Sequence, residues 1–262
     1  MQSYYDKIKY PDLRLMSPAD PVSLFFQERE SAIMQMANDK ELTQKSIEWM
    51  LHADKYKYTY NYTWMGRPII KYPNDIVIQQ EIMWDIKPDL IIETGIAHGG
   101  SIILSAALQR MMGIDGEVVG IDIDIRQHNR IEIENHMMFS SITMYEHDSS
   151  AESVVSLLEP HLKDKKCIMV ILDSLHTHDH VLKELELLSP LVSQGSYLVL
   201  PDTFIEFFPK GYYSNRPWDV GNNPYTAMQS FLSSSQDFVV DKKYSSKAQI
   251  TEAISGYLQR IR

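Results

Sequence analysis

The residues of this 262-residue chain that could do chemistry gather where apolar runs end. Five such runs close on or just before an acid. They are Leu90 to Glu93, Glu117 to Asp122, Ile142 to Glu146 followed by His147-Asp148, Cys167 to Asp173, and Ser196 to Leu200 followed by Pro201-Asp202. The densest end is Asp173-Ser174-Leu175-His176-Thr177-His178-Asp179-His180, an acid and three histidines within eight residues. Asp173 can ligate a hard cation, and a neutral imidazole three residues later can take a proton from a hydroxyl held beside that cation. A cation-bound hydroxyl gives up its proton more readily. The spacing is not H-E-x-x-H, nor by itself a two-histidine, one-carboxylate set. His176 is therefore the candidate base, while His178 and His180 read as solvated or supporting. Asp202 falls beside Asp173 if the last two runs are neighbouring strands. Two carboxylates on adjacent strand ends suit a divalent cation, and magnesium is the natural choice.

The second chemical stretch is Glu93-Thr94-Gly95-Ile96-Ala97-His98-Gly99-Gly100-Ser101. It reads as the end of a buried strand, a tight loop and a helix start. Glycines let backbone and ligand approach closely, and free N–H groups at a helix start favour negative charge. The closing acid instead suits a cationic or hydroxyl-rich ligand. The register is not G-x-G-x-x-G, so a nucleoside without a pyrophosphate is expected. Asp122, twenty-nine residues after Glu93, can accept hydrogen bonds from a ribose diol, with Asp124 as an alternative. Asp148 and Ser149 stand where doubly wound folds border a nucleoside base, and Ser149 or Ser150 also suits plain helix capping. Glu93, Gly95, Gly99, Ser101, Asp122, Asp148 and Ser149 are the candidate cofactor contacts.

These ends have to be positioned by alternating elements. From Leu90 onward, apolar runs of strand length alternate with helix-compatible stretches, which predicts an α/β, doubly wound parallel sheet. Ligands bind such sheets outside the carboxyl ends of the strands, where all five acids lie. Two short strands, Phe238 to Val240 and Ala248 to Thr251, are expected to close it. Ahead of the sheet, residues 1 to about 20 carry Pro11, Pro18 and Pro21 and read as an extended arm. Residues 21 to 55 read as helical, with Ser23 as a candidate cap. Tyr56 to Trp64 is dense in aromatics and reads as a packed cap or a substrate-facing wall. Gly66 to Pro73 is a loop, and Asn74 or Asp75 can cap a helix over Ile76 to Trp84. The expected organisation is an arm and helical, aromatic-rich cap over residues 1–75 and a cofactor-binding domain over 76–262. Loop 201–222 is long enough to be functional.

A formal net charge of -10 and a pI near 5.3 argue against a nucleic-acid partner, which needs clustered positive charge. The single cysteine, Cys167, excludes an intrachain disulfide and reads as a buried structural thiol. No apolar run reaches the length of about 18 residues that a membrane-spanning helix needs. Met1 to Tyr10 lacks the apolar core of a signal peptide, so a cytoplasmic protein is expected. The aromatic N-terminal segment offers a surface for packing on a second copy, which leaves a homo-oligomer as an open expectation.

The chain resembles the cephalosporin hydroxylase-like family, which also takes in rhamnosyl and macrolide-sugar O-methyltransferases. The residues that carry the resemblance are Pro88-Asp89-Leu90-Ile91-Ile92-Glu93-Thr94-Gly95, Gly99-Gly100-Ser101, Val119-Gly120-Ile121-Asp122-Ile123-Asp124, Leu172-Asp173-Ser174-Leu175-His176, Val181-Leu182-Lys183-Glu184-Leu185, Gly195-Ser196-Tyr197 and Asp202-Thr203. Gly221-Asn222-Asn223-Pro224, Ile250-Thr251 and Gly256-Tyr257-Leu258 extend it, so that it covers roughly residues 65 to 260. It implies a Rossmann-like class I methyltransferase fold, S-adenosylmethionine as cofactor, magnesium, and a sugar or glycosylated acceptor. It also implies that Asp173 ligates the metal and that His176 is the base. A pair of acids after the last parallel strand completes the metal site in the family. Here that pair reads Pro201-Asp202, which lowers the expected metal affinity unless water or Glu206 fills in. Trp64, the Tyr56 to Tyr62 cluster and loop 201–222 are expected to shape the acceptor pocket. The alternatives are a metal-dependent hydroxylase and a non-catalytic cofactor-binding protein.

Overall fold

The computed structural model describes residues 21–262, and the arm expected over residues 1–20 lies outside them. The helical stretch that follows splits in two, α1 (Pro21–Asn38) and α2 (Lys40–Asp54). Asp39 makes the break: its carboxylate accepts from Leu42 N at 2.9 Å and so starts α2 afresh. Ser23 sits within α1 rather than at its cap. A 3-10 turn and a hairpin, β1 (Tyr62–Trp64) against β2 (Arg67–Ile69), lead to α3 (Pro73–Ile86). Pro73 opens α3, three residues before the expected start, because proline is preset for the first helical position. Asp75 is consequently not a cap. It is buried within α3 and accepts from Thr251 Oγ1, from Tyr257 Oη at 2.9 Å and from Glu252 N at 2.9 Å.

Five parallel strands follow: β3 (Leu90–Thr94), β4 (Glu117–Asp122), β5 (Ile142–Glu146), β6 (Ile168–Leu172) and β7 (Tyr197–Val199). Between them run α4 (Gly100–Met111), α5 (Gln127–Glu134), α6 (Ser153–Leu162) and α7 (His178–Leu188). The chain then forms α8 (Pro224–Ser234), β8 (Phe238–Val240), α9 (Lys242–Ala248) and β9 (Tyr257–Arg260). Strand order is β5-β4-β3-β6-β7-β9-β8. The five expected parallel strands are in place, and the sheet as a whole is mixed, since β9 runs antiparallel to both β7 and β8. The strand expected over Ala248 to Thr251 is absent. Asp75 captures Thr251 and Glu252 in a turn, and the closing strand begins at Tyr257.

β3 and β6 are buried along their whole length, which is why they read as continuous apolar runs. Alternate residues serve two cores. Ile91, Met169 and Ile171 pack toward α3 and α4 with Ile82 and Ile103, while Ile92, Val170 and Leu172 pack toward α7 and α8 with Leu185 and Met228. Each such aliphatic side chain contributes about 1.5–3 kcal/mol on burial. From β3 the chain moves outward to β4, and then returns to place β6 on the other side. That reversal opens a crevice at the carboxyl ends of β3 and β6. Among the described residues no helix is long and apolar enough to cross a membrane.

Candidate active site

The loop from β3 into α4 is built by close contacts within the protein. Gly95 has φ +87°, and a side chain there would run into the carbonyl of Asp173. Gly99 caps α4 at φ +83°, and a side chain there would meet Ile133. Both glycines are thus required by the loop's own packing, and Gly95 also lines the cavity described below. Asp122 at the end of β4 fastens the same loop: Oδ2 accepts from Ile96 N at 2.8 Å and Ala97 N at 3.2 Å, and Oδ1 from Asp124 N at 3.1 Å. Arg67 donates to His98 O at 2.9 and 3.1 Å and to Asn129 Oδ1 at 3.0 Å, and Asn129 Nδ2 donates to Ala97 O at 2.9 Å. Arg67 and Asn129 escaped the sequence reading because each lies far along the chain from the loop it holds.

Glu93 is fully buried. Among the described residues neither of its carboxylate oxygens has a hydrogen-bond partner, and neither does Ser101 Oγ. Burial pushes the Glu93 carboxyl up to about 7, with the charge of Lys71 acting against the rise. At the end of β5, Asp148 Oδ1 accepts from Ser150 N at 2.9 Å and Ser150 Oγ at 2.7 Å, which holds its carboxyl below the usual range. Ser149 is buried beside His180. Cys167 is only half-buried, short of the buried thiol expected, and burial pushes the thiol up.

The register of β6 on β7, Val170 opposite Leu198 and Ile171 opposite Val199, brings Asp173 and Asp202 to adjacent strand ends. His176 joins them, and one ligand atom from each of the three lies within 4.8 Å of the others. His176 Nε2 is 3.5 Å from Asp202 Oδ2, and its ring stands edge-on to Trp218 with centroids 4.7 Å apart. Burial pushes Asp202 up to about 6 while the nearby His176 works to lower it. Two carboxylates and an imidazole converging on one point fit a divalent cation. Pro201 adds no side-chain oxygen, and Glu206 does not fill in. Its carboxylate is turned to Gly221 N at 2.8 Å and Asn223 Nδ2 at 2.6 Å, where it holds the long loop. His178 and His180 are engaged rather than solvated. His178 Nδ1 lies 2.9 Å from Thr226 Oγ1, and His180 Nε2 lies 3.0 Å from Ser174 Oγ and 3.5 Å from Glu184.

Two residues that sequence reasoning passed over complete the cluster. Lys71, from the loop read as a mere connection, is buried with Nζ 2.6 Å from Glu252 Oε1 and 3.5 Å from Asp173 Oδ2. Burial works to lower its ammonium, but the charges of Glu252, Asp173 and Glu93 prevail and hold it well above the usual range. An isolated lysine before a tyrosine and a proline carries no signal for this role.

A cavity of about 770 Å³ joins these parts. Gly95, Ser101, Asp122, Asp148 and Ser149 line it together with Asp173, His176 and Asp202. Thr59, Tyr60, Tyr213, Arg216 and Trp218 line it as well. Glu93 and Gly99 stand off the wall. The aromatic segment divides. Tyr60 lines the cavity, whereas Tyr58 stacks on Tyr72 and meets Trp49 and Tyr62 edge-on as a cap, and Trp64 packs on the core. The volume suits a nucleoside with a small acceptor beside it.

Residues 56–261 match the family described as Rhamnosyl O-methyltransferase/CmcI. The chain belongs to that family. Membership carries the enzyme class expected from the sequence, an S-adenosylmethionine-dependent O-methyltransferase. The Rhamnosyl O-methyltransferases of Mycobacterium tuberculosis (strain H37Rv) and Mycobacterium leprae are each 30% identical to it, over 203 and 201 residues. These matches cover 76% of this chain and 78% and 82% of theirs. A CmcI structure with magnesium and S-adenosylmethionine aligns with a TM-score of 0.55 at 23% identity, over 78% of each chain. One with S-adenosylhomocysteine aligns with a TM-score of 0.55 at 22% identity, over 77% of this chain and 83% of that one. Both show the shared class I methyltransferase fold, whose strand order the Rhamnosyl O-methyltransferase/CmcI member described here repeats.

Proposed function

We propose that the protein methylates a hydroxyl of a sugar or sugar-bearing small molecule, with S-adenosylmethionine as donor and a divalent cation, magnesium by preference, at Asp173 and Asp202. One observation carries this reading: a base, two carboxylates and a nucleoside-sized wall share a single cavity. The names of the mycobacterial relatives, and the magnesium in the CmcI structure, support it. When bound, S-adenosylmethionine presents its methyl group on a sulfonium, a good leaving group. The cation, when bound, makes a nearby hydroxyl easier to deprotonate.

The chain's own residues do the rest. Gly95, Ser101, Asp122, Asp148 and Ser149 bind the donor's nucleoside. Gly99 fixes the loop, and Glu93 lies buried behind it. Tyr60, Tyr213, Arg216 and Trp218 bind the acceptor and align its oxygen. His176 takes the hydroxyl proton at Nε2, and Asp202, 3.5 Å away, stabilises the imidazolium that forms. Trp218 keeps the ring from turning away.

Mass spectrometry of the purified protein is expected to show co-purifying S-adenosylmethionine or S-adenosylhomocysteine. Calorimetry with both is expected to show binding. Absence of binding by either method would overturn the proposal. Undiminished activity in excess chelator would remove the cation while leaving the methyl transfer in place.

A further inference from the structure

Lys71 and Glu252 have no part in the steps above, yet they form a buried ion pair that borders the reactive cluster. Lys71 Nζ has two carboxylates to choose between, Glu252 Oε1 at 2.6 Å and Asp173 Oδ2 at 3.5 Å. Its side chain is 5% exposed and that of Glu252 7%, so water does little to screen either charge. The pair is fixed from both sides. Pro73 starts α3 two residues beyond Lys71 and fixes the backbone that delivers it. Asp75 accepts from Glu252 N at 2.9 Å. Thr203 Oγ1 and Phe204 N donate to Glu252 O at 3.2 and 3.4 Å, which ties Glu252 to the turn carrying Asp202. Pro201 faces the same small space as Lys71, Asp75 and Glu252 and has no side-chain oxygen to offer there.

An ammonium and a divalent cation compete for a carboxylate that both can reach. A cation held by Asp173 and Asp202 would share Asp173 with Lys71 and would feel its charge at close range. Glu252 works in the opposite sense, because it draws Lys71 away and cancels its charge. We propose that Lys71, restrained by Glu252, sets how tightly Asp173 and Asp202 hold a divalent cation and keeps that hold weak and exchangeable. Lys71 is thus a positioning residue that acts through Asp173. The inference rests on the cation-site reading given above.

The two partners then have opposite effects, which a merely structural pair would not show. The test is calorimetric titration of Mn²⁺ into the full chain, without donor or acceptor, with melting curves confirming the folded state. Glu252→Gln releases Lys71 onto Asp173 and is expected to weaken Mn²⁺ binding about tenfold. Lys71→Met with Glu252→Gln removes the ammonium that competes for Asp173 while leaving the net charge of the pair unchanged, and is expected to bind Mn²⁺ about threefold more tightly than the parent. Asp202→Asn added to either background is expected to abolish binding. If the double variant binds no more tightly than a parent whose binding depends on Asp202, the role of Lys71 is overturned and the cation site stands. If neither protein binds Mn²⁺, both readings fall. Binding by the double variant alone supports the inference directly. Should the double variant not fold, Glu252→Gln decides: unchanged or tighter binding overturns the proposal.

Discussion

His176 sits between a carboxylate and an indole ring, which restrains its own ring. Removing it should cost the reaction and leave the donor site intact. His176→Ala is expected to lower kcat by about 10²–10⁴-fold, with S-adenosylhomocysteine affinity by calorimetry unchanged. Asp122 is a different case. Its Oδ2 is already committed to two loop N–H groups, so its loss disorganises the donor wall as well as removing a contact. Asp122→Ala is expected to weaken S-adenosylhomocysteine binding at least about tenfold, since one hydrogen bond to a charged group is worth about 1.5–3 kcal/mol. Unchanged affinity would contradict the assignment of Asp122 to the nucleoside. Residues of this kind were legible because strand ends concentrate them in a doubly wound fold. Lys71, Arg67 and Glu252 were not, because their chemistry comes from partners 31 to 181 residues away along the chain.

At the scale of elements, two junctions carry the site. Where β3 passes into α4, Gly95 lies against the Asp173 carbonyl with φ +87°. Gly95→Ala would bring both backbone strain and a clash with the next strand's end, and is expected to give little folded protein by circular dichroism. At the other junction, Asp75 of α3 gathers Thr251, Glu252 and Tyr257. Asp75→Ala strands buried donors and is expected to lower unfolding free energy by roughly 3 kcal/mol in urea titrations. This same turn replaced the strand that Ala248 to Thr251 suggested. Pattern alone shows a short apolar–polar alternation, whereas the buried carboxylate that holds its end in a turn comes from α3. β9 was missed for a related reason. Tyr257-Leu258-Gln259-Arg260 is buried over its first half and half-exposed over its second, so it lacks the continuous apolar run of β3 or β6.

For the molecule as a whole, the buried Glu93 makes stability depend on pH. Its carboxyl stands at about 7 when folded against an ordinary 4.5, so the folded state binds the proton more tightly. Glu93 therefore favours folding in full below pH 4.5, and that contribution is lost as pH rises through about 7. Glu93→Gln is expected to flatten this decline, and between pH 4.5 and pH 8 the variant should gain roughly 3 kcal/mol relative to the parent. Urea unfolding at the two ends of that range measures it, and parallel pH profiles for parent and variant would refute it. The sequence by itself determined the α/β alternation, the row of acids at the strand ends and the family, and it named the candidate base, because buried strands must be apolar and their ends must carry the chemistry. Only the tertiary structure decided that the sheet is mixed, that the loop glycines lie against Asp173 and Ile133, and that a lysine occupies the ground beside Pro201. Those facts depend on which distant segments share a volume, and volume is set by packing in three dimensions.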